Sequence, residues 1–165
     1  SLKGKIEGLA MRVPTPNVSL VDLVFNSKSK LSVKKINESF ISASKAIGEI
    51  IPSLKGKLEG VAMRIPTPNV SLIELIFCSK KDLSVEKINS AFKNFSKKQK
   101  IKVLEITEEK LVSIDFNHNP ASSIVDASLT NVIGKNMGKI SAWYDNEWGF
   151  SNRMCDIAAY LHKIS

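Results

Sequence analysis

Cysteine and histidine are among the side chains that most often act as a nucleophile, a general base or a metal ligand. The sequence has Cys78, Cys155, His118 and His162, with no Cys-x-x-Cys motif and no mixed Cys and His cluster around them. A nucleophilic cysteine needs a nearby base, and a metal site needs several closely placed ligands. We therefore expect both cysteines to be buried or half-buried apolar residues, and both histidines to be exposed or capping residues.

Phosphate and nucleotide binding have two familiar signals, a glycine-rich turn and an arginine. None of the eight glycines forms a Gly-x-Gly pair, so the sequence carries no dinucleotide-binding fingerprint. An arginine guanidinium can make two parallel hydrogen bonds to a phosphate. Arg12 and Arg64 each precede a proline-containing turn, which by itself is typical of a surface residue.

Charge and composition narrow the class of protein. The chain has 165 residues, with 24 Lys and Arg against 16 Asp and Glu and a net charge of +8, but only Arg12, Arg64 and Arg153 are arginines. Dispersed lysines favour solubility over specific nucleic-acid recognition. The longest stretch without a charged residue is the ten residues 116–125, whereas a membrane-spanning helix needs about 20 apolar residues. We predict a soluble, cytoplasmic protein without a specific nucleic-acid partner or a membrane.

Residues 1–40 and 53–92 are two copies of one segment. They align without a gap at an offset of 52 positions, and 28 of the 40 positions are identical. Six of the twelve differences conserve side-chain volume or charge, as in Ile6 against Leu58 and Asp22 against Glu74. Two copies are too few for a solenoid, so we predict one domain that carries a duplicated segment.

Each copy predicts the same series of elements. In the second copy, residues 57–66 form a short strand that ends at a proline, and a turn leads to a strand at 70–77. Apolar residues on both sides of strand 70–77 predict burial on both faces. Ser84 is expected to cap a helix through about Lys93. One stripe of this helix would contain Val85, Ile88, Asn89 and Phe92.

The remaining sequence predicts three more strands and a final helix. The strands are expected at 102–106, 110–117 and 138–144, and the final helix from about Asn152. Its apolar stripe would contain Met154, Ile157, Ala158 and Leu161. The residues at 97–100 are expected to form a basic, solvated loop. Several strands with few helices and no regular βαβ alternation predict an α+β domain.

Three strings then point to a family: AMRIPTPNVSLIEL at 62–75, VSIDFN at 112–117 and WYDNEWGFSNR at 143–153. Their content and spacing resemble the C-terminal, catalytic domain of glyceraldehyde-3-phosphate dehydrogenase. The resemblance implies an α+β fold with a mixed, largely antiparallel sheet, helices on one face and no dinucleotide-binding domain. It also implies that residues 1–40 duplicate a strand-turn-strand-helix segment and that residues 41–165 form the family domain, incomplete on its N-terminal side.

The resemblance implies a substrate-phosphate contact. Arg64 matches the family arginine that contacts this phosphate, and Arg12 is its duplicate, although both cannot occupy one pocket. A second phosphate contact is altered, because Ile41 and Ser42 stand where the family has a threonine and a glycine. Isoleucine has no hydrogen-bonding group in its side chain.

The resemblance also implies a contact to NAD. Asn146 matches the residue that hydrogen-bonds the nicotinamide carboxamide, and Phe150 stands where a tyrosine beside the nicotinamide is usual. A purely structural interpretation of 143–153 remains open. In it, a tight aromatic turn leads into the last helix, and Asp145 and Asn152 satisfy backbone groups.

The catalytic groups of the family are missing from the sequence. The family chemistry uses a nucleophilic cysteine, a histidine that activates it, and NAD as the hydride acceptor. The resemblance places both side chains, and the NAD domain, upstream of anything in this chain. Neither Cys78 nor Cys155 is expected to replace the nucleophile, so no catalytic residue is assigned, and NAD is not expected to bind to this chain alone.

Three hypotheses of function follow. The chain could be a portion of the dehydrogenase C-terminal domain, truncated or degenerate and inactive alone. It could instead be a non-catalytic assembly module that joins intact dehydrogenase subunits through the sheet surface, or it could be completed to an active enzyme by upstream sequence. The partners implied are glyceraldehyde-3-phosphate, phosphate, and further copies of this chain or intact subunits.

Overall fold

A computed structural model describes residues 47, 49–58 and 69–164. The short stretch before residue 59 contains a 3₁₀ turn at Pro52–Leu54 and belongs to a different compact unit from residues 69–164. The first copy of the repeat and most of the predicted strand 57–66 lie outside the described residues.

Residues 69–164 contain five strands and two α-helices. These are β1 (Ser71–Cys78), α1 (Val85–Lys98), β2 (Leu104–Thr107), β3 (Ser123–Asp126), β4 (Asn131–Ile133), β5 (Met137–Tyr144) and α2 (Trp148–Ile164).

The sheet is built around β5. Strand β1 pairs with it antiparallel along its whole length, from Ser71 opposite Tyr144 to Cys78 opposite Met137. On the other side of β5, β3 and β4 both pair with it antiparallel, and β2 lies parallel to β3. The order β1-β5-β3-β2 is a mixed, largely antiparallel sheet, so the predicted α+β fold is confirmed.

Helix α1 covers one face of the sheet. Ser84 caps it, because the Ser84 hydroxyl accepts a hydrogen bond from the Lys87 N–H at 3.2 Å. The predicted apolar stripe is confirmed, with Ile88 buried and Phe92 packed against a core on β3 and β5. That core consists of Val125, Ile140 and Ala142. The helix continues to Lys98, so Lys97 and Lys98 belong to its last turn and not to the predicted loop.

Trp143 belongs to a second core, on the face of the sheet opposite α1. Its ring stacks on Phe116 with 5.3 Å between centroids, and the same cluster includes Val70 and Ile124. The indole N–H donates to Asp126 Oδ2 at 3.2 Å, which satisfies the one polar atom of this buried side chain. This core therefore connects Val70, which precedes β1 in sequence, and Phe116, which follows it, to Trp143 on β5.

Two segments differ from the sequence prediction. The strand expected at 110–117 is instead a 3₁₀ turn at Ser113–Phe116. The Asp115 carboxylate accepts from the Val112 N–H at 2.8 Å, a local bond that competes with strand pairing. Residues 121–133, for which no strand was predicted, contain the short strands β3 and β4.

Burial was predicted incorrectly at β1. Ile73 and Leu75 are 54% and 46% exposed, so the strand is not buried on both faces. Within the described sheet β1 is an edge strand, and edge strands are only partly covered. Cys78 and Cys155 are also exposed, which corrects the expectation that both are buried or half-buried.

Gly138 on β5 lies against the Phe77 ring on β1. A Cβ at position 138 would be 2.5 and 2.7 Å from two carbons of that ring and 3.2 Å from Leu83 Cδ1. We expect Gly138→Ala to lower the free energy of unfolding by about 2 kcal/mol, because the ring must move within a packed core. Urea unfolding measures this. Phe77→Leu in the same background should restore part of the loss, and an unchanged urea midpoint for Gly138→Ala would contradict the packing argument.

Candidate functional site

The loop between β5 and α2 carries both residues assigned to the nicotinamide contact. Asn146 is exposed in this loop, and Phe150 is 65% exposed in the first turn of α2. Helix α2 begins at Trp148 and not at Asn152 as predicted. The structure therefore brings Asn146 and Phe150 to one end of the sheet, with both side chains open to solvent.

Asp145 fixes the shape of this loop. Its Oδ1 accepts from the backbone N–H of Glu147 at 3.2 Å and of Trp148 at 2.8 Å, which satisfies free donors at the start of α2. Its Oδ2 accepts from the Asn69 amide and the His118 N–H, each at 2.9 Å. Asp145 is only 2% exposed, so one buried carboxylate joins three separate parts of the chain.

The two substrate-phosphate candidates, Arg64 and Arg12, lie outside the described residues, as do Ile41 and Ser42. The described chain resumes at Asn69, five residues after Arg64. The Asn69 amide donates to Asn117 Oδ1 at 2.8 Å as well as to Asp145, so it holds the start of β1 beside the Asn146 loop. The next residue, Val70, is buried with φ +72°, a conformation that costs a β-branched residue about 1 to 3 kcal/mol.

His118 and Trp148 form a ring contact at the same end of the sheet. Their centroids are 4.9 Å apart, and His118 has φ +60°. The predicted exposure of His118 and His162 is confirmed. No sequence pattern indicated this contact, because His118 and Trp148 are 30 positions apart and are brought together only by their shared hydrogen bonds to Asp145.

The structural interpretation of residues 143–153 is confirmed in its details. Asp145 caps α2, and the Asn152 amide donates to the Trp148 carbonyl at 2.8 Å. Gly149 lies close to the loop that precedes β3, since a Cβ at position 149 would be 3.1 Å from the Ala121 carbonyl oxygen. None of these contacts uses the Asn146 side chain, so the capping role of Asp145 leaves Asn146 available for a ligand.

The chemistry of Asn146 fits one end of NAD. A primary amide has a donor and an acceptor, and a carboxamide such as that of nicotinamide presents the complementary pair. The described residues provide no glycine-rich turn for a pyrophosphate, so the fit is limited to the nicotinamide end. Among residues 49–58 and 69–164, no group of three His, Cys, Asp or Glu side chains could hold a metal ion. Over the same ranges, no helix has the length and apolar content to cross a bilayer.

The pKa of Asp145 reflects its hydrogen bonds. Burial raises the pKa, but the bonds from Trp148, His118, Glu147 and Asn69 outweigh it and hold the pKa below its ordinary value of 3.8. The carboxylate therefore contributes its full stabilisation above that pH, and the contribution is lost as the pH falls through the lowered pKa.

A change in pH should reveal this contribution. From about pH 5 down to about pH 2, through the lowered pKa, the free energy of unfolding should fall, and Asp145→Asn should make this fall shallower because that group no longer titrates. Urea titrations at a series of pH values measure both. Glu86, whose pKa is lowered by backbone and Ser84 hydrogen bonds, gives the control Glu86→Gln, with a smaller change expected because Glu86 is exposed. Parallel pH profiles for Asp145→Asn and the unaltered chain would contradict the assignment.

Comparison with known proteins decides the family. The family description "Glyceraldehyde 3-phosphate dehydrogenase, C-terminal domain" matches residues 1–45 and 40–146. The chain belongs to this dehydrogenase family. Glyceraldehyde-3-phosphate dehydrogenase 2 of Staphylococcus aureus (strain Mu50 / ATCC 700699) is 46% identical over 135 residues, which are 79% of this chain and 39% of that protein. Glyceraldehyde-3-phosphate dehydrogenase 2 of Staphylococcus epidermidis (strain ATCC 12228 / FDA PCI 1200) is 44% identical over the same coverage.

The family match confirms the resemblance carried by the three strings of the sequence. The chain spans 39% of the length of the curated dehydrogenases that it matches. Its described sheet contains no dinucleotide-binding domain, in agreement with the predicted fold of a glyceraldehyde-3-phosphate dehydrogenase C-terminal domain. Arg64, Arg12, Asn146 and Phe150 remain predictions as site residues.

Proposed function

We propose that this chain is a C-terminal domain portion of an NAD-dependent, phosphorylating glyceraldehyde-3-phosphate dehydrogenase, and that it does not turn over by itself. The observation that carries the proposal is the loop that presents Asn146 to solvent at the end of β5, with Asp145 holding it in place. Family membership supports the reaction class, which is oxidation of an aldehyde in glycolysis. The proposal includes a cytoplasmic location, which is expected for a member of a glycolytic dehydrogenase family.

Each site residue has a binding or positioning role in this proposal. The Asn146 amide orients the nicotinamide by pairing with its carboxamide, and Phe150 provides an apolar wall beside the ring. The Arg64 guanidinium holds the substrate phosphate through two charge-assisted hydrogen bonds. When bound, NAD supplies the hydride acceptor. The nucleophile and its activating histidine come from sequence that this chain does not contain.

Neither cysteine is assigned as a nucleophile. Cys78 is the last residue of β1, opposite Met137, and Cys155 lies on α2, so the two cysteines belong to separate elements. A thiolate nucleophile requires a base within hydrogen-bonding distance. This is why the chain alone is expected to lack activity.

The proposal is tested by turnover of the purified chain. We expect no reduction of NAD in the presence of glyceraldehyde-3-phosphate and inorganic phosphate, with the S. aureus enzyme as the active control. If activity is found, the same assay on the Cys78→Ser and Cys155→Ser variants tests whether either cysteine is the nucleophile. Turnover by the chain that disappears in either variant would contradict the assignment of no catalytic residue.

A second candidate function is assembly with intact dehydrogenase subunits, and the surface that supports it is helix α2 and not the sheet surface expected from the sequence. Apolar side chains on α2 favour contact with another polypeptide, because the predicted stripe is exposed and not packed on the sheet. Its members Met154, Ile157 and Leu161 are 53 to 55% exposed, and Phe150 and Ile164 on the same helix are 65% and 63% exposed. Native mass spectrometry of this chain mixed with the S. aureus enzyme tests it. A mixed complex that weakens in Ile157→Ser supports assembly, and two unmixed species contradict it.

A further inference from the structure

The second copy of the repeat is held on β5 by a small set of contacts. Strand β1 pairs with β5 over eight residues, and the loop and helix that follow pack on the same strand. Val70 and Leu72 contribute to the core around Trp143, whereas the other apolar contacts belong to the core under α1. Those other contacts come from Phe77, Leu83, Ile88 and Phe92.

The first copy retains every one of these contact residues. At an offset of 52 they are Val18, Leu20, Phe25, Leu31, Ile36 and Phe40, each identical in type to its counterpart. The helix cap Ser84 and the loop anchor Asn69 are likewise matched, by Ser32 and Asn17. The first copy therefore contains the whole set of apolar side chains with which the second copy packs on β5.

The differences between the copies avoid the contact surface. Between residues 69 and 92 nine positions differ from the first copy, and eight of the nine are exposed. The ninth is half-buried Glu74, and its counterpart Asp22 keeps the negative charge that faces Lys139. The exposed positions that differ are Ile73, Ile76, Cys78, Lys81, Asp82, Glu86, Ser90 and Ala91.

We propose that residues 17–40 can take the place of residues 69–92 on β5 of the same chain, so that the domain can fold around either copy. The side-chain period of a strand fixes the register, because a shift by one residue would turn Leu20 and Phe25 away from their cores. Gly138 leaves room for an aromatic ring at one position of the partner strand, where either Phe77 or Phe25 fits. This inference does not depend on the proposed function.

One contact outside the repeat favours the second copy. The Gln99 side chain makes two hydrogen bonds to the Leu104 backbone, to its carbonyl at 2.7 Å and from its N–H at 3.0 Å, which ties α1 to β2. The equivalent position after the first copy is Ile47, which cannot make them. When the first copy is in place, residues 41–103 form the connection to β2, and the entropic cost of such a loop rises slowly with its length. The second copy is thus the preferred occupant, and the first is the alternative.

The matched positions Ile88 and Ile36 allow a direct test in the full chain. Ile88→Asp buries a charge under α1 and should expel the second copy, whereas Ile36→Asp changes the equivalent residue of the first copy. Hydrogen exchange with mass spectrometry distinguishes the two segments, because their peptides differ in mass. In Ile88→Asp we expect peptides from 69–92 to lose protection, and amide exchange in 17–40 to slow by about tenfold or more.

The double variant completes the test. Ile36→Asp with Ile88→Asp should lose the cooperative unfolding transition, because neither copy can then cover β5, whereas each single variant should retain it. Loss of that transition in Ile88→Asp alone, with no slowing of exchange in 17–40, would overturn the proposal. If Ile88→Asp aggregates, the double variant Ile88→Ala with Gln99→Ala replaces it. This variant also weakens the binding of the second copy to the rest of the domain, so the first copy is expected to occupy β5 more often. Slowed exchange in 17–40 that appears only in a dimer, as measured by native mass spectrometry, would overturn the assignment to a single chain.

Discussion

Replacing Asp145 with alanine is expected to lower the free energy of unfolding by about 3 to 4 kcal/mol, the largest effect of any single change considered. The substitution removes the cap of α2 and leaves the backbone N–H groups of Trp148 and His118, whose bonds to Asp145 are partly buried, without their acceptor. It also frees the Asn69 amide from the loop. Each hydrogen bond to a charged group contributes about 1.5 to 3 kcal/mol, and shared partners make the four contributions less than additive.

Asp115 provides the matched control for this substitution. Its carboxylate also accepts a backbone N–H, from Val112 at 2.8 Å, but the residue is exposed and lies on a 3₁₀ turn. We expect Asp115→Ala to cost less than about 1 kcal/mol, because water can replace the lost acceptor. Urea unfolding of both variants measures the difference. Equal costs for Asp145→Ala and Asp115→Ala would contradict the role of Asp145 as the residue that organises the loop.

Breaking the ion pair between Lys139 and Glu74 should have the second largest effect, about 3 kcal/mol for Lys139→Met. Lys139 Nζ lies 2.7 Å from Glu74 Oε1, and Lys139 is only 6% exposed. The same Glu74 oxygen accepts from the Ser141 hydroxyl at 3.2 Å. Removing the lysine takes this ammonium away from a half-buried carboxylate, and the remaining interactions of Glu74 do not replace its charge. Lys139 lies on β5, so an exchange of the repeat copies cannot relieve the loss.

The double substitution distinguishes a buried charge from lost packing. Lys139→Met with Glu74→Leu replaces both charges by apolar groups, and we expect it to recover most of the stability lost in Lys139→Met. A double-mutant cycle by urea unfolding gives the coupling energy. If the double variant is less stable than Lys139→Met alone, the uncompensated carboxylate is not the cause of the loss.

The elements with strong local patterns were predictable from the sequence. Helix α1 has a serine cap and an apolar stripe at helical spacing, and β1 and β5 are eight residues long. Strands β3 and β4 have four and three residues, which is too short for a period to be recognised, and they form because β5 offers them an edge. The start of α2 was missed because its cap is Asp145, a residue whose hydrogen bonds also reach distant segments.

Burial depended on tertiary packing that no local pattern contains. Cys78 is exposed because β1 lies at the edge of the described sheet, and the stripe of α2 is exposed although its spacing is that of a packed helix. At the candidate site, the resemblance singled out Asn146 and Phe150. The residues that hold their loop, Asn69 and His118, are far from it in sequence and could be recognised only from their bonds to Asp145.

The most direct test of the central claim is the intact mass of the natural polypeptide in its source cells, combined with NAD-dependent oxidation of glyceraldehyde-3-phosphate by the same purified material. The central claim is that this chain carries the Asn146 loop of the dehydrogenase domain without the groups for turnover. For a species with the mass of this chain, 18.2 kDa, it predicts no turnover. Turnover by a species of that mass would contradict it.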